Sequence, residues 1–196
     1  MRISFIPNTK TVLPYNRRSY IDFLDDDNIT SHWQGISFHL YRNKECSFIE
    51  FINCYRPLFD DVVMKFGKAH EWIVNHDDKD MPWFPTTDKN LINLRSLFKQ
   101  NNVSNDFKGY LTFTGEDLIF YSQDIISYPY SIFDEEGMLY KNLDVSHSEL
   151  PFIIKVSGHL NIDFISTEKS ILRSLVNEYS EKFVIREYWG SEIWKN

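Results

Sequence analysis

The sequence predicts an α+β fold, in which amphipathic helices pack against a mostly antiparallel sheet within a single domain covering residues 1–196. Three observations lead to this prediction. Residues 36–40 alternate apolar and polar side chains, residues 57–73 repeat apolar side chains at helical spacing, and a hairpin pattern at 152–166 precedes a helix and another strand. Hairpins mixed with helices in this irregular order are typical of α+β folds and not of regularly alternating α/β folds.

Length and composition fit one globular domain. The chain has 196 residues, of which 42% are hydrophobic and 25% are charged, so it can build a sizeable core. Aromatic residues make up 16% of the chain. Because one core rarely needs so many large rings, we expect some of them to line a pocket or an interface.

The N-terminal part, residues 1–55, is the hardest to interpret, and a separate subregion there stays open. A short helix is suggested around Tyr20, Phe23 and Leu24. The stretch "GISFHLYR" alternates as a half-buried strand. Residues 48–55 have helical spacing, although a second strand is the alternative.

Two amphipathic helices are predicted in the middle of the chain. The first follows from "RPLFDDVVMKFGKAHEWIVNH", with Pro57 in its first turn. The second follows from "TTDKNLINLRSLFKQNN", with Thr87 or Asp88 as the N-cap. The stretch "HDDKDMPWFP" between them is then a connection between two helices, kept non-helical by its prolines.

The C-terminal half mixes strands and helices. The stretch "GYLTFTG" reads as a strand, and the next helix begins with Thr114 and Asp117 in a capping-box pattern. A hairpin is predicted over "PFIIKVSGHLNIDFIS", with its turn near residues 157–159. A helix over "STEKSILRSLVNEYS" and a strand over "KFVIREYW" complete the fold.

Charge and hydropathy exclude several classes of protein. The formal net charge is -7 and the longest basic run is Arg17-Arg18, so nucleic-acid binding is not expected. No signal peptide and no apolar stretch of membrane-spanning length is visible. If helical, Cys46 and Cys54 would lie roughly 12 Å apart, too far for a disulfide. These features predict a cytoplasmic protein without a membrane partner.

Catalytic motifs are lacking. His70-Glu71 with His76 departs from the H-E-x-x-H zinc motif, because the two histidines are six residues apart and not four. No phosphate-binding loop, nucleophile elbow or cysteine zinc cluster occurs. We therefore expect no catalytic residue, no metal ion and no cofactor. The alternatives are a metal-dependent hydrolase built from His70, His76 and Asp77 with His147 or His159, and an accessory subunit of a larger assembly.

Acidic clusters recur beside aromatic residues, a combination that suits recognition of a protein partner with a basic surface. The first predicted binding group is Asp77, Asp78, Asp80, Trp83 and Phe84; the second is Asp25, Asp26, Asp27 and Trp33. A third cluster spans residues 134–136. The tail "REYWGSEIWKN" is a fourth candidate, whose tryptophans Trp189 and Trp194 either dock back on the fold or meet a partner.

In size, acidity, aromatic content and lack of catalytic motifs, the chain resembles the small immunity proteins that bacteria pair with secreted antibacterial toxins. One stretch, "LPYNRRSYIDFL", is similar to the helix entry of SUKH-type immunity domains, although the usual glycine pair is absent and Tyr20 comes late. The resemblance implies a non-enzymatic protein that binds a cognate toxin and occludes its active surface.

Overall fold

The computed structural model describes residues 3–25, 32–40, 47–76, 81–85, 89–133 and 142–194. Eight strands and five helices occur in these ranges. The strands are β1 (Ser4–Pro7), β2 (Gln34–Leu40), β3 (Glu71–His76), β4 (Gly109–Thr114), β5 (Leu143–His147), β6 (Phe152–Ser157), β7 (Asn161–Ser166) and β8 (Phe183–Glu187). The helices are α1 (Arg17–Leu24), α2 (Phe48–Gly67), α3 (Ile92–Gln100), α4 (Gly115–Ser131) and α5 (Lys169–Tyr179).

The strands form one antiparallel sheet with the order β1-β4-β3-β5-β6-β7-β2-β8. Helices α2 and α4 pack on each other, α4 contacts β3 to β6, and α5 contacts β7 and β2. Side chains from these helices and from one face of the sheet build the large core. The α+β prediction is therefore confirmed.

A smaller group of apolar side chains packs on the opposite face of the sheet. Successive residues of a strand point to opposite faces, so Ile153 and Ile165 face away from the large core. They pack with Tyr20 and Phe23 of α1 and with Trp33 in a second, smaller apolar cluster. Asn16 caps α1 by accepting hydrogen bonds from the backbone N–H groups of residues 18 and 19. Helix α1 thus covers one part of this face.

The predicted helix over residues 56–76 is wrong in its second half. Helix α2 begins at residue 48, behind a capping box formed by Ser47 and Glu50, and ends at Gly67. Its end carries a glycine because an added Cβ would stand 2.9 Å from Nε2 of His147. The indole of Trp72 donates to the carbonyl of Gly67 over 2.9 Å, and residues 71–76 form β3. "HDDKDMPWFP" therefore starts in a strand and does not join two helices.

Several other predicted elements are confirmed: β2, β4, the β6–β7 hairpin, α5 and β8. Helix α4 begins as expected, since Thr114 accepts a hydrogen bond from the backbone N–H of Asp117. Helix α3 begins at residue 92, later than predicted, while Thr87 and Asp88 lie outside the described residues. Strands β1 and β5 were not predicted. Within the described ranges, no helix has both the length and the apolar character needed to cross a bilayer.

Candidate functional site

A row of polar side chains crosses the face of the sheet that lies opposite the large core. The strand register places Asp144 of β5 opposite Lys155 of β6, Lys155 opposite Asp163 of β7, and Asp163 opposite Ser37 of β2. The neighbours of these residues along each strand are apolar and face the large core. Because strands alternate their faces, each polar side chain in the row is turned to the same side.

The members of this row are buried, although they are charged or polar. Asp144 is 1% exposed, Asp163 is 4% exposed and Lys155 is 7% exposed. Burying a charge is costly unless it is paired and hydrogen-bonded. Lys155 pairs with one of the two aspartates, since its Nζ lies 3.5 Å from Oδ1 of Asp144.

Hydrogen bonds complete the row. Oδ1 of Asp144 accepts from the phenol of Tyr20 over 2.9 Å. Asp163 accepts from the phenol of Tyr188 and from the amide of Asn161, both over 2.5 Å. The same amide nitrogen donates to the hydroxyl of Ser37 over 2.8 Å. Tyr20, Tyr188 and Ser37 are far in sequence from the residues of β5 and β7 that they contact, so the tertiary structure assembles most of these hydrogen bonds. The contact between Asn161 and Asp163 lies within β7.

Burial raises the pKa of Tyr188 far above its usual value, and the neighbouring carboxylate of Asp163 raises this pKa further. Burial also raises the pKa of Tyr20 well above its usual value, and the carboxylate of Asp144 raises it further. Both phenols therefore keep their protons at all physiological pH values. They serve as permanent hydrogen-bond donors to the two carboxylates.

Beside the row lies a cavity of about 410 Å³, which we call the polar cavity. It lies past the end of α1, where Leu24 and Asp25 belong to its lining. The sheet contributes Lys155, Asp163 and Asn161. A concave site that gathers several buried polar groups is the usual form of a binding site, so the polar cavity is the candidate functional site.

One wall of the polar cavity is Tyr188. Its ring stacks on Phe23 with 5.8 Å between the centroids. On another side it lies over Gly35, where an added Cβ would come within 2.8 Å of Cγ of Tyr188. The glycine is therefore needed for the close approach of this ring, which in turn aims its hydroxyl at Asp163.

The second predicted binding group is only partly placed at this site. Asp25 is exposed at the C-terminal end of α1 and lines the polar cavity. Asp26 and Asp27 lie outside the described residues. The expectation that Trp33 presents an accessible ring is wrong: the side chain is 4% exposed and packs edge-on against Tyr15, with 5.1 Å between the rings. Its indole is needed to fill the small cluster beneath α1.

The two rings of the first predicted binding group, Trp83 and Phe84, are also buried, so the expectation that they contact a partner is wrong. Trp83 is 0% exposed and Phe84 is 2% exposed. The indole nitrogen of Trp83 donates to the carbonyl of Gly109 over 3.0 Å, and both rings contact Phe98. They are core residues and offer no surface to a partner. Asp77, Asp78 and Asp80 lie outside the described residues.

Two histidines of the alternative metal site, His147 and His76, make hydrogen bonds within the fold. Nδ1 of His147 accepts from the backbone N–H groups of residues 149 and 150, each over 3.0 Å, and Nε2 lies 3.2 Å from the carbonyl of Phe66. His76 is 1% exposed, 3.1 Å from the phenol of Tyr128. Within the described ranges, no three histidine, cysteine or acidic side chains are grouped to hold a metal ion; Asp77 is outside those ranges.

The C-terminal tail, residues 188–194, carries two exposed tryptophan rings. Trp189 is 82% exposed and Trp194 is 54% exposed. The backbone between them is held to β2: the hydroxyl of Ser191 accepts from the N–H of Gly35 over 2.9 Å, and Ile193 is fully buried. The tail is thus packed on the fold while its two indoles remain accessible, the first directly after Tyr188.

The sequence reasoning did not identify Asp144, Lys155 or Asp163. A signal was present in two of the strands, because "FIIKVS" and "NIDFIS" each place one charged residue among apolar neighbours. A lone charge in a strand that is otherwise apolar indicates a polar site on the opposite face.

Compared with protein-family models, with curated proteins and with solved structures, the chain gives no match in any of the three.

Proposed function

We propose that this chain is a non-enzymatic immunity protein, which binds a cognate antibacterial toxin in the cytoplasm and occludes the toxin's active surface. The observation that carries the proposal is the accessibility of Trp189 and Trp194 on a tail that is packed against β2 and adjoins the polar cavity. In this proposal, the C-terminal tail and the rim of the polar cavity form the contact surface.

Exposed tryptophans support binding of a protein partner. An indole that is 82% exposed leaves a large apolar surface in water, and tryptophan is among the residues most enriched at the energetic centres of interfaces. The anchored backbone supports the proposal as well. Since hydrogen bonds to β2 hold the tail, binding orders little additional backbone and loses little affinity to conformational entropy.

Charge supports a partner with a basic surface. The net charge of the chain is -7, and Asp25 stands exposed at the rim of the polar cavity, followed in sequence by Asp26 and Asp27. Negative charge beside a contact surface accelerates encounter with a positively charged partner and excludes partners of like charge. The proposed contact surface thus combines Asp25 of the second predicted binding group with the exposed rings of Trp189 and Trp194.

The test is affinity capture from the native cell with the full chain as bait, compared with a Trp189→Ala, Trp194→Ala double variant. We expect the intact chain to retain a protein whose activity it inhibits, and the double variant to lose at least tenfold in affinity, a typical effect of removing interface tryptophans. Phe120→Ala is the matched control, because this ring is 64% exposed on α4. Equal inhibition by all three proteins contradicts the proposal.

A further inference from the structure

We infer that a second cavity, between α1 and the segment that precedes it, binds a small organic phosphate monoester through Lys10, Arg17 and Arg18. This cavity, which we call the basic cavity, has a volume of about 690 Å³. The residues that line it belong neither to the C-terminal tail nor to the polar cavity. The ligand site is therefore separate from the proposed contact surface, and its test does not depend on capture of a toxin.

The walls of the basic cavity suit a small organic molecule. They come from residues 8–16, from α1 and from Tyr110 of β4. Part of this lining is apolar, with Val12, Leu13 and Ile21. Cavities of roughly 300–1,000 Å³ that combine apolar walls with a few polar groups are the usual sites for small molecules. The apolar part can therefore hold the organic body of a ligand whose polar end meets the charged residues.

The charge of the basic cavity favours an anion. Among the described residues that line it, three are cationic and one is acidic: Lys10, Arg17, Arg18 and Asp22. This excess of positive charge occurs in a chain whose net charge is -7. The side chains of Lys10 and Arg18 make no ion pair within the part of the chain that the structure describes. A phosphate monoester carries nearly two negative charges at neutral pH, so it balances this excess better than a single carboxylate does.

The two arginines lie in the first turn of α1, where positive charge is unfavourable. The helix dipole places a partial positive charge at this end, so acidic residues are preferred there, and α1 has none in its first turn. Asn16 accepts hydrogen bonds from the N–H groups of residues 18 and 19, but it supplies no negative charge. A bound phosphate would supply that charge. A local preference that is broken in this way is typical of a functional site.

A buried phenol adds a hydrogen-bonding group to the basic cavity. Tyr110 is 5% exposed and lines the cavity. Its side chain is turned toward α1, because the neighbouring Leu111 belongs to the large core. The Tyr110 hydroxyl makes no hydrogen bond within the described residues and its oxygen is not fully enclosed, so it opens into the cavity. The hydroxyl of Tyr15, which also lines the cavity, is bonded to Ser146 over 2.8 Å. Tyr110 thus has a hydroxyl available to a phosphate oxygen.

The test uses phenyl phosphate, which joins a phosphate monoester to one ring. Titration into the isotope-labelled full chain, followed by NMR, should give saturable shifts of the backbone amides of residues 10 and 16–18. We expect a dissociation constant on the order of millimolar or below for so small a ligand. Benzyl alcohol has a ring but no charge and should shift none of these amides. No shift with phenyl phosphate, or equal shifts with benzyl alcohol, overturn the inference.

Two further probes identify the source of the phosphate. Inorganic phosphate should bind at least about threefold more weakly than phenyl phosphate, because it leaves the apolar walls without a partner. Equal affinity for the two would contradict the organic part of the ligand. Vesicles that contain phosphatidic acid also present a phosphate monoester, and the chain should not sediment with them. Retention on these vesicles would assign the phosphate to a lipid surface and overturn the small-molecule ligand.

Substitutions localise the site. Arg18→Gln should weaken binding of phenyl phosphate about tenfold, because it removes one charge-assisted contact. Arg186→Gln is the matched control: it makes the same change at an exposed position of β8 and should leave the affinity unchanged. Tyr110→Phe removes only a hydroxyl and should weaken binding about threefold or more. If Arg18→Gln fails to fold, Lys10→Gln replaces it with the same expectation. Equal affinities of the Arg18 and Arg186 variants contradict the inference.

Discussion

The phenol of Tyr188 donates a hydrogen bond to Oδ2 of Asp163 over 2.5 Å, and this contact joins the first residue of the C-terminal tail to the middle of the sheet. The same tyrosine forms a wall of the polar cavity, next to the exposed Trp189. The contact therefore couples the geometry of the cavity to the position of the tail.

Tyr188→Phe should lower the free energy of unfolding by about 1–3 kcal/mol, because it leaves one carboxylate oxygen of Asp163 buried without its donor. Chemical denaturation measures the change. Tyr110→Phe is the matched control: this residue is 5% exposed and its hydroxyl makes no hydrogen bond within the described residues. The control should stay within about 0.5 kcal/mol of the parent chain, and an equally small effect of both variants contradicts the role given to Tyr188.

Asp124→Ala should destabilise the chain by about 1–2 kcal/mol, because a carboxylate of α4 caps the first turn of α3. Oδ2 of Asp124 accepts from the N–H of Leu94 over 2.8 Å, and Leu91 at the N-cap position supplies no side-chain hydrogen bond. Losing an N-terminal cap has this magnitude. Thermal unfolding monitored by circular dichroism measures it, and Asp106→Ala in an exposed loop should have no effect. Equal melting temperatures would refute the capping role.

Stability should fall as the pH is lowered through about 6.5, the value of a histidine in the unfolded chain. Burial, with a smaller effect of nearby His70, lowers the pKa of His147 in the folded state. The unfolded chain therefore binds a proton at His147 at a higher pH than the folded chain does. The full contribution of neutral His147 to the free energy of unfolding is present above the unfolded pKa of about 6.5. It declines on acidification until the folded pKa is passed.

His147→Gln should flatten this pH dependence, as measured by denaturant unfolding between neutral and mildly acidic pH. A smaller slope remains, because burial and Arg186 also lower the pKa of His39. A slope unchanged by the His147 substitution would show that the decline has another source.

Trp83→Ala and Trp189→Ala should differ strongly in their effect on stability, because the first ring is buried and the second is exposed. Trp83 is fully buried, so its truncation should cost about 3–5 kcal/mol. Trp189 is 82% exposed, so its truncation should change stability by less than about 0.5 kcal/mol. Denaturation midpoints compare the two variants directly. A costly Trp189 substitution would mean that its indole packs on the fold and is not available to a partner.

Local patterns were sufficient for the elements whose own residues carry a strong signal. Residues 36–40 alternate, Thr114 and Asp117 form a cap, and residues 152–166 fold back over a short turn. In each case the period of the strand or the chemistry of the cap and turn decides the structure. Strand β3 was misassigned because its apolar residues continue the helical spacing of α2. Its pairing with β4 and β5, which no local pattern contains, overrides that spacing.

By itself the sequence determined the class of fold, most of the helices and strands, and the acidic character of the chain, since these depend on composition and on residues close together in the chain. Only the tertiary structure decided which rings are accessible and which charges meet. Trp33, Trp83 and Phe84 fill cores, while Trp189 and Trp194 remain in solvent. Asp144, Lys155 and Asp163 become neighbours through strand register. The physical reason is that burial and pairing across a sheet depend on contacts between residues far apart in the chain. The spacing of apolar and polar residues within one segment does not contain these contacts.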